Sequence, residues 1–188
     1  GRQPAFNAPA SALVLFRVMW GFAGGTHARF GNFLAGPARV LAFAKKLMSK
    51  SPAPVAGHNP LGGWMVLILL LSLLVQTGTG LFANDDIAAE GPLFALVSKG
   101  LSDRLSPIHS WNFNLILVLT ALHVAAVLFH LLVKKENLVT AMFTGVKTLE
   151  AAADSTEVPV ARFVSGWRAL ALFVLAIVAV YLIVKRPF

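Results

Sequence analysis

The sequence has no cysteine among its 188 residues. That excludes disulfides, cysteine-ligated iron–sulfur clusters, a thiolate nucleophile and covalent attachment of a c-type haem. Charge is also scarce. Asp, Glu, Lys and Arg make up 13% of the chain, where a soluble domain carries about 25%. Acids are the rarer sign, 8 against 16 bases, for a net charge of +8. The bases lie beside apolar runs, where positive charge marks the cytoplasmic side of a membrane, so no nucleic-acid partner is expected. Also lacking are the n-region and cleavage site of a signal peptide, an internal repeat and a low-complexity tract. No Ser/His/Asp set or glycine-rich phosphate loop can be assembled. The apolar runs hold no His/Asp/Glu cluster of zinc-ligand spacing.

What is present is apolar residues: 57% of the chain, with a mean hydropathy of +0.74. The expected class is an all-α integral membrane helical bundle with four transmembrane helices. The clearest span is residues 111–133, WNFNLILVLTALHVAAVLFHLLV, which contains no charged residue. At about 1.5 Å per residue it extends roughly 34 Å, enough to cross a bilayer core. Residues 61–82 form a second charge-free span, 9–23 a shorter one, and 163–184 the last. Between the 9–23 and 61–82 spans lies a basic loop with Arg29, Arg39, Lys45, Lys46 and Lys50 and no acid, placed in the cytoplasm. Residues 33–48 are expected to form an amphipathic helix on the membrane surface. Residues 83–110 are net acidic and expected to be periplasmic, with a short interfacial helix over 92–101. Pro107 is expected near the first turn of the following span. A further short helix is expected over 138–153.

His109 precedes the 111–133 span, and His123 and His130 lie within it. A histidine in hydrocarbon normally has a partner. His109 and His123 are 14 residues apart, four helical turns less roughly 40°, so they share a face about 21 Å apart along the axis. That arrangement suits two haem irons, one near each membrane surface, each held non-covalently. The other reading of each histidine is a hydrogen bond to a neighbouring helix. His130 falls near the same face. It reads as an interfacial side chain reaching headgroups, a propionate partner, an alternative ligand or a proton carrier. His27 and His58 read as loop residues.

Arg17 sits in the middle of the short span. It reads either as a side chain snorkelling to the surface or as a bundle-facing guanidinium pairing with an anion such as a haem propionate. Gly78 and Gly80 read either as close helix packing or as room for a flat macrocycle.

Several stretches carry a family resemblance. GHNPLGGWMVL at 57–67, QTGTGLFANDDI at 76–87, EGPL at 90–93 and LSPIHSWNFNLILVLTALHVAAVLFHLLVKKENLVTAMFTG at 105–145 resemble the bacterial cytochrome b561 family. That family includes the b-type cytochrome subunits of nickel–iron hydrogenases. FRVMWGFAGGTHARF at 16–30 is similar to the end of its second helix. The resemblance covers most of 11–147. It implies a b561-like membrane domain over 1–147, without the family's first helix, then a polar linker and a C-terminal membrane helix over 148–188. The full family pattern has five helices.

The resemblance further implies haem b, two per chain, in a multi-pass protein of the bacterial inner membrane. Such a protein passes electrons between the quinone pool and a redox partner protein, as a carrier or a quinone-linked oxidoreductase subunit. The family's two ligands on its fourth helix match His109 and His123. Its remaining ligands come from the first helix and from the start of the second, where this sequence has GRQPAFNAPAS, with Gln3 near the ligand position and no histidine. That departure motivates the competing expectation: an accessory subunit of a larger membrane complex that keeps the bundle for packing. A transporter or channel is less supported, because Arg17 is the one charge deep in any span.

Overall fold

The computed structural model describes residues 3–4, 7–47, 59–87, 89–140 and 164–185. Among them, α1 (Ala8–Ala23), α2 (Phe30–Phe33), α3 (Pro37–Leu47), α4 (Pro60–Gly80), α5 (Lys99–Leu132) and α6 (Gly166–Lys185) make an all-α bundle. The one strand pair is β1 (Gln3–Pro4) beside β2 (Ala89–Glu90), parallel and two residues long. Residues 138–140 are helical, and the rest of the helix expected over 138–153 lies outside the described residues, as does His58.

Three helices, α4, α5 and α6, are long and apolar enough to cross a membrane. α1 has 16 residues and spans about 24 Å, shorter than a typical bilayer core of about 30 Å. The exposure pattern is that of a lipid-facing protein. Trp111, Leu117, Val118, Leu122 and Val124 of α5 are exposed, while Ser72, Thr79, Ser102, Asn112 and His130 are buried. Polar groups inward and apolar groups outward are what hydrocarbon selects, since lipid cannot satisfy a hydrogen bond. The chain is thus a multi-pass membrane protein.

Local sequence sets the helix starts. The Asn7 side chain accepts from Ala10 N at 3.1 Å ahead of Pro9, and the Asn59 side chain accepts from Gly62 N at 2.7 Å ahead of Pro60. In each case an Asx cap meets the orphan amides and proline occupies the first turn. Ser98 caps α5 through Leu101 N at 3.3 Å.

Two expectations fail in the 92–110 region. The interfacial helix is only a 3-10 turn at Phe94–Leu96. Pro107 does not sit in a first turn: α5 has already run from Lys99, and Pro107 is inside it. A membrane helix tolerates that, because the carbonyl freed by proline can be re-satisfied locally. The surface helix expected over 33–48 begins later, at Pro37.

α4 packs against α5 and α1 against α6, and α4 also touches α1 and α3. α6 meets α1 through Phe173, which stands edge-on to Phe16 at 5.5 Å. Trp64 Nε1 donates to Ala35 O at 2.8 Å, tying α4 to the α2–α3 connection. The α4–α5 connection is held by Ser102 Oγ donating to Phe82 O at 2.7 Å and Asn84 N donating to Ser106 Oγ at 2.9 Å. On its surface Lys99 donates to Asp86 at 2.7 Å. That ammonium, and secondarily the Asn84 amide, holds the Asp86 carboxyl below its ordinary range. The folded-state value is depressed, so the bond contributes above the ordinary carboxylate range and is lost as pH falls through the lowered value. Both partners are exposed, so the contribution is small and salt-screened.

Candidate functional site

The buried and half-buried polar residues between α4 and α5 form one connected chain of hydrogen bonds. It starts on a backbone atom. Asn112 Nδ2 donates to Ser72 O at 2.8 Å, which fixes the orientation of the Asn112 amide. The same nitrogen donates to Gln76 Oε1 at 2.8 Å, which fixes the Gln76 amide in turn. Gln76 Nε2 therefore points at His109, 3.0 Å from its Nε2.

An amide nitrogen only donates, so His109 Nε2 is the acceptor and the ring proton sits on Nδ1. Nδ1 has two acceptors for that proton: Gln76 O at 3.1 Å and Thr79 Oγ1 at 3.1 Å. The Thr79 hydroxyl spends its own hydrogen on Val75 O at 2.6 Å, which leaves its lone pairs for His109. His109 is thus oriented, with its proton on Nδ1 and its Nε2 lone pair accepting from the Gln76 amide. A backbone carbonyl on one imidazole nitrogen with the lone pair on the other is how histidine is prepared for a metal.

The histidines expected to act together do share one uninterrupted helix, α5. Their surroundings differ. His123 is half-buried and has no hydrogen-bond partner among the described residues. Its depth follows from the register. α4 and α5 run antiparallel with Gln76 level with His109. Stepping 14 residues along each puts His123 level with Gly62. Gly63 lies against Phe33, whose carbonyl oxygen would be 2.6 Å from a Cβ added there.

Phe33 leads to Arg17. The Arg17 guanidinium lies 5.5 Å from the Phe30 ring centre and 5.9 Å from that of Phe33, and donates to Ala28 O at 3.4 Å. Among the described residues no carboxylate pairs with it. Arg17 therefore stands at the depth of His123, not at that of His109. Its guanidinium is half-buried on the faces of Phe30 and Phe33.

His130 is not directed at headgroups. It is buried, with Nδ1 3.1 Å from Glu136 Oε2, and its carbonyl accepts from Glu136 N at 3.0 Å. His27 is exposed. Of the two glycines, Gly78 has open space where a Cβ would stand, whereas Gly80 is buried, its carbonyl against Gly91. Gln3 takes part through its backbone, paired with Ala89.

None of Gln76, Thr79 and Asn112 is among the site residues expected from the sequence. The signal that marks them is spacing. Gln76 and Thr79 are i and i+3 in one charge-free helix, His109 and Asn112 are i and i+3 in the next, and both pairs share a face of their own helix.

The donor set suits a ligand that takes one imidazole at a time. No group of three or more His, Asp or Glu side chains that could enclose a bare metal ion occurs among the described residues. A macrocycle that supplies four nitrogens of its own needs only axial ligands.

A family model described as prokaryotic cytochrome b561 matches residues 8–145. No curated protein and no solved structure matches the chain. The matched segment takes in all of α1 to α5, including both imidazoles and the whole polar chain between α4 and α5.

Proposed function

The chain belongs to the prokaryotic cytochrome b561 family, of haem-b membrane electron-transfer proteins, and from that premise we propose that it carries electrons across the bilayer between the quinone pool and a redox partner protein. His109 and His123 are the residues of this chain that would hold two haems, one imidazole to each. The observation that carries the reading is the state of His109: in a membrane-spanning helix, its Nδ1 proton is bound to Gln76 O and Thr79, and its Nε2 lone pair is held only by the side-chain amide of Gln76. His123, half-buried one ligand spacing further along α5, supports it, having no other use among the described residues.

Haem b, when bound, supplies a one-electron Fe(III)/Fe(II) couple. The chain's own residues do the rest. The α4–α5 chain of amides holds one imidazole at a fixed tautomer and depth. Arg17 keeps a positive charge at the depth of the other, where it can neutralise a propionate. The basic 24–60 loop faces the cytoplasm and the acidic 83–98 loop the opposite side, in the bacterial inner membrane.

One experiment addresses the quinone half directly. Purified protein, oxidised and then given a reduced quinol, should develop the spectrum of reduced b-type haem within the mixing time. Reduction by dithionite but not by any quinol would remove the quinone pool from the proposal.

Arg17→Gln gives a second expected outcome. It keeps a polar group over Phe30 and Phe33 but removes the charge. The haem content should stay the same, and the component assigned to His123 should become harder to reduce. A shift on the order of tenfold in its Fe(II)/Fe(III) ratio, about 59 mV for one electron, is expected in a redox titration. An unchanged potential would leave Arg17 as a packing residue.

A second reading, the accessory subunit retained for packing, has one observation in its favour. Gln76 satisfies His109 Nε2 within the protein itself, so both ring nitrogens have partners without any cofactor. The two readings differ in haem per polypeptide.

A further inference from the structure

We propose that Thr79 is a positioning residue for His109: its hydroxyl oxygen, with the Gln76 backbone carbonyl, keeps the imidazole proton on Nδ1 and so sets how strongly Nε2 donates to iron. The proposal rests on the reading of His109 as a ligand and adds to it a residue on a different helix.

Three features make Thr79 more than a neighbour. Its hydrogen is committed to Val75 O at 2.6 Å, so towards His109 the hydroxyl can only accept. Its oxygen is 3.1 Å from Nδ1, the same distance as the Gln76 carbonyl. The two acceptors therefore share one N–H, and neither alone fixes the plane of the ring. Thr79 is also buried, on the side of α4 that meets α5.

The third side of the ring is held from the same helix, by the Gln76 amide on Nε2. That contact must release before Nε2 can coordinate anything. The Nδ1 contacts need not change. Thr79 and the Gln76 carbonyl thus hold the proton in place whether or not the ligand position is in use.

The chemical consequence has a sign. An N–H donated to an acceptor makes the opposite nitrogen more electron-rich, which raises ligand basicity. A more basic ligand favours Fe(III) over Fe(II). Removing the Thr79 acceptor should make that haem easier to reduce.

The test uses the purified full chain. Thr79→Val keeps the shape and removes the acceptor; Thr79→Ser keeps the acceptor. In the His123→Ala background the remaining haem is the one assigned to His109. There Thr79→Val should keep its haem and move the Fe(II)/Fe(III) ratio at fixed potential severalfold towards Fe(II), and Thr79→Ser should restore it. Independently of haem, nitrogen NMR of labelled histidine in the haem-free protein should show a pure Nδ1–H tautomer for His109 in the wild type and a mixture in Thr79→Val. A Thr79→Val protein with an unchanged potential and an unchanged tautomer overturns the positioning role. Wild-type protein that binds no haem overturns instead the ligand reading beneath it, and the tautomer measurement then decides the Thr79–His109 hydrogen bond by itself.

Discussion

Replacing His109 or His123 with alanine should each remove one haem, halving the haem per polypeptide, and the double variant should bind none. The expectation follows from the separation of the two imidazoles. They are 14 residues apart on one helix, about 21 Å, so neither can serve the other's site. It also follows from their unlike surroundings. His109→Ala deletes the end of a hydrogen-bond chain and leaves the Gln76 amide nitrogen without its acceptor, so that variant should also be less stable. Buried amides in membrane helices contribute about 1–2 kcal/mol in model systems and often less. His123→Ala breaks no hydrogen bond among the described residues. It should lose its haem while the protein keeps its thermal stability in the haem-free form. Equal haem content in wild type and both single variants would move the ligands elsewhere.

The largest expected effect on stability is at a position with no side chain. A Cβ at Gly91 would fall on the Leu81 carbonyl and 2.6 Å from Gly80 O. These are backbone atoms, and Leu81 O is already engaged, accepting from Leu93 N at 2.9 Å, while Gly91 N donates to Ala83 O at 2.8 Å. Nothing there can give without breaking the connection that brings α5 back beside α4. Gly91→Ala should cost about 1–3 kcal/mol, the range for overpacking. It should also loosen His109, because this connection sets the register of His109 against Gln76. Gly78→Ala is the control on the same region: nothing stands within 4 Å of the added Cβ, and alanine is the better helix former. Thermal unfolding in detergent should separate the two, with Gly91→Ala clearly lowered and Gly78→Ala at or above wild type. Equal melting of both would mean the connection is not the rigid element described.

The spans were legible because long, strongly apolar runs have one physical meaning. Expected bounds of 61–82 and 163–184 meet helices at Pro60–Gly80 and Gly166–Lys185. The shared face of His109 and His123 was legible too, since a helix fixes it from spacing alone. The start of α5 was not. Proline reads as a helix boundary in water, but within a bundle its freed carbonyl is tolerated, and Ser98 already supplies a cap well before Pro107. The partner of His109 was illegible for a different reason. Which residue of α4 lies opposite it depends on the length and shape of the 81–98 connection, down to Gly91, and no periodicity within one helix contains that information. Arg17 and His123 sharing a depth is of the same kind, since it rests on the same register.

The most direct measurement is the difference spectrum of the purified chain, dithionite-reduced minus oxidised, with haem quantified per polypeptide. A b-type α-band with two haems per chain, falling to one in each alanine variant, is the expected result. A protein that folds and melts cooperatively yet shows no α-band would contradict the electron-transfer account and leave a bundle whose histidines serve packing.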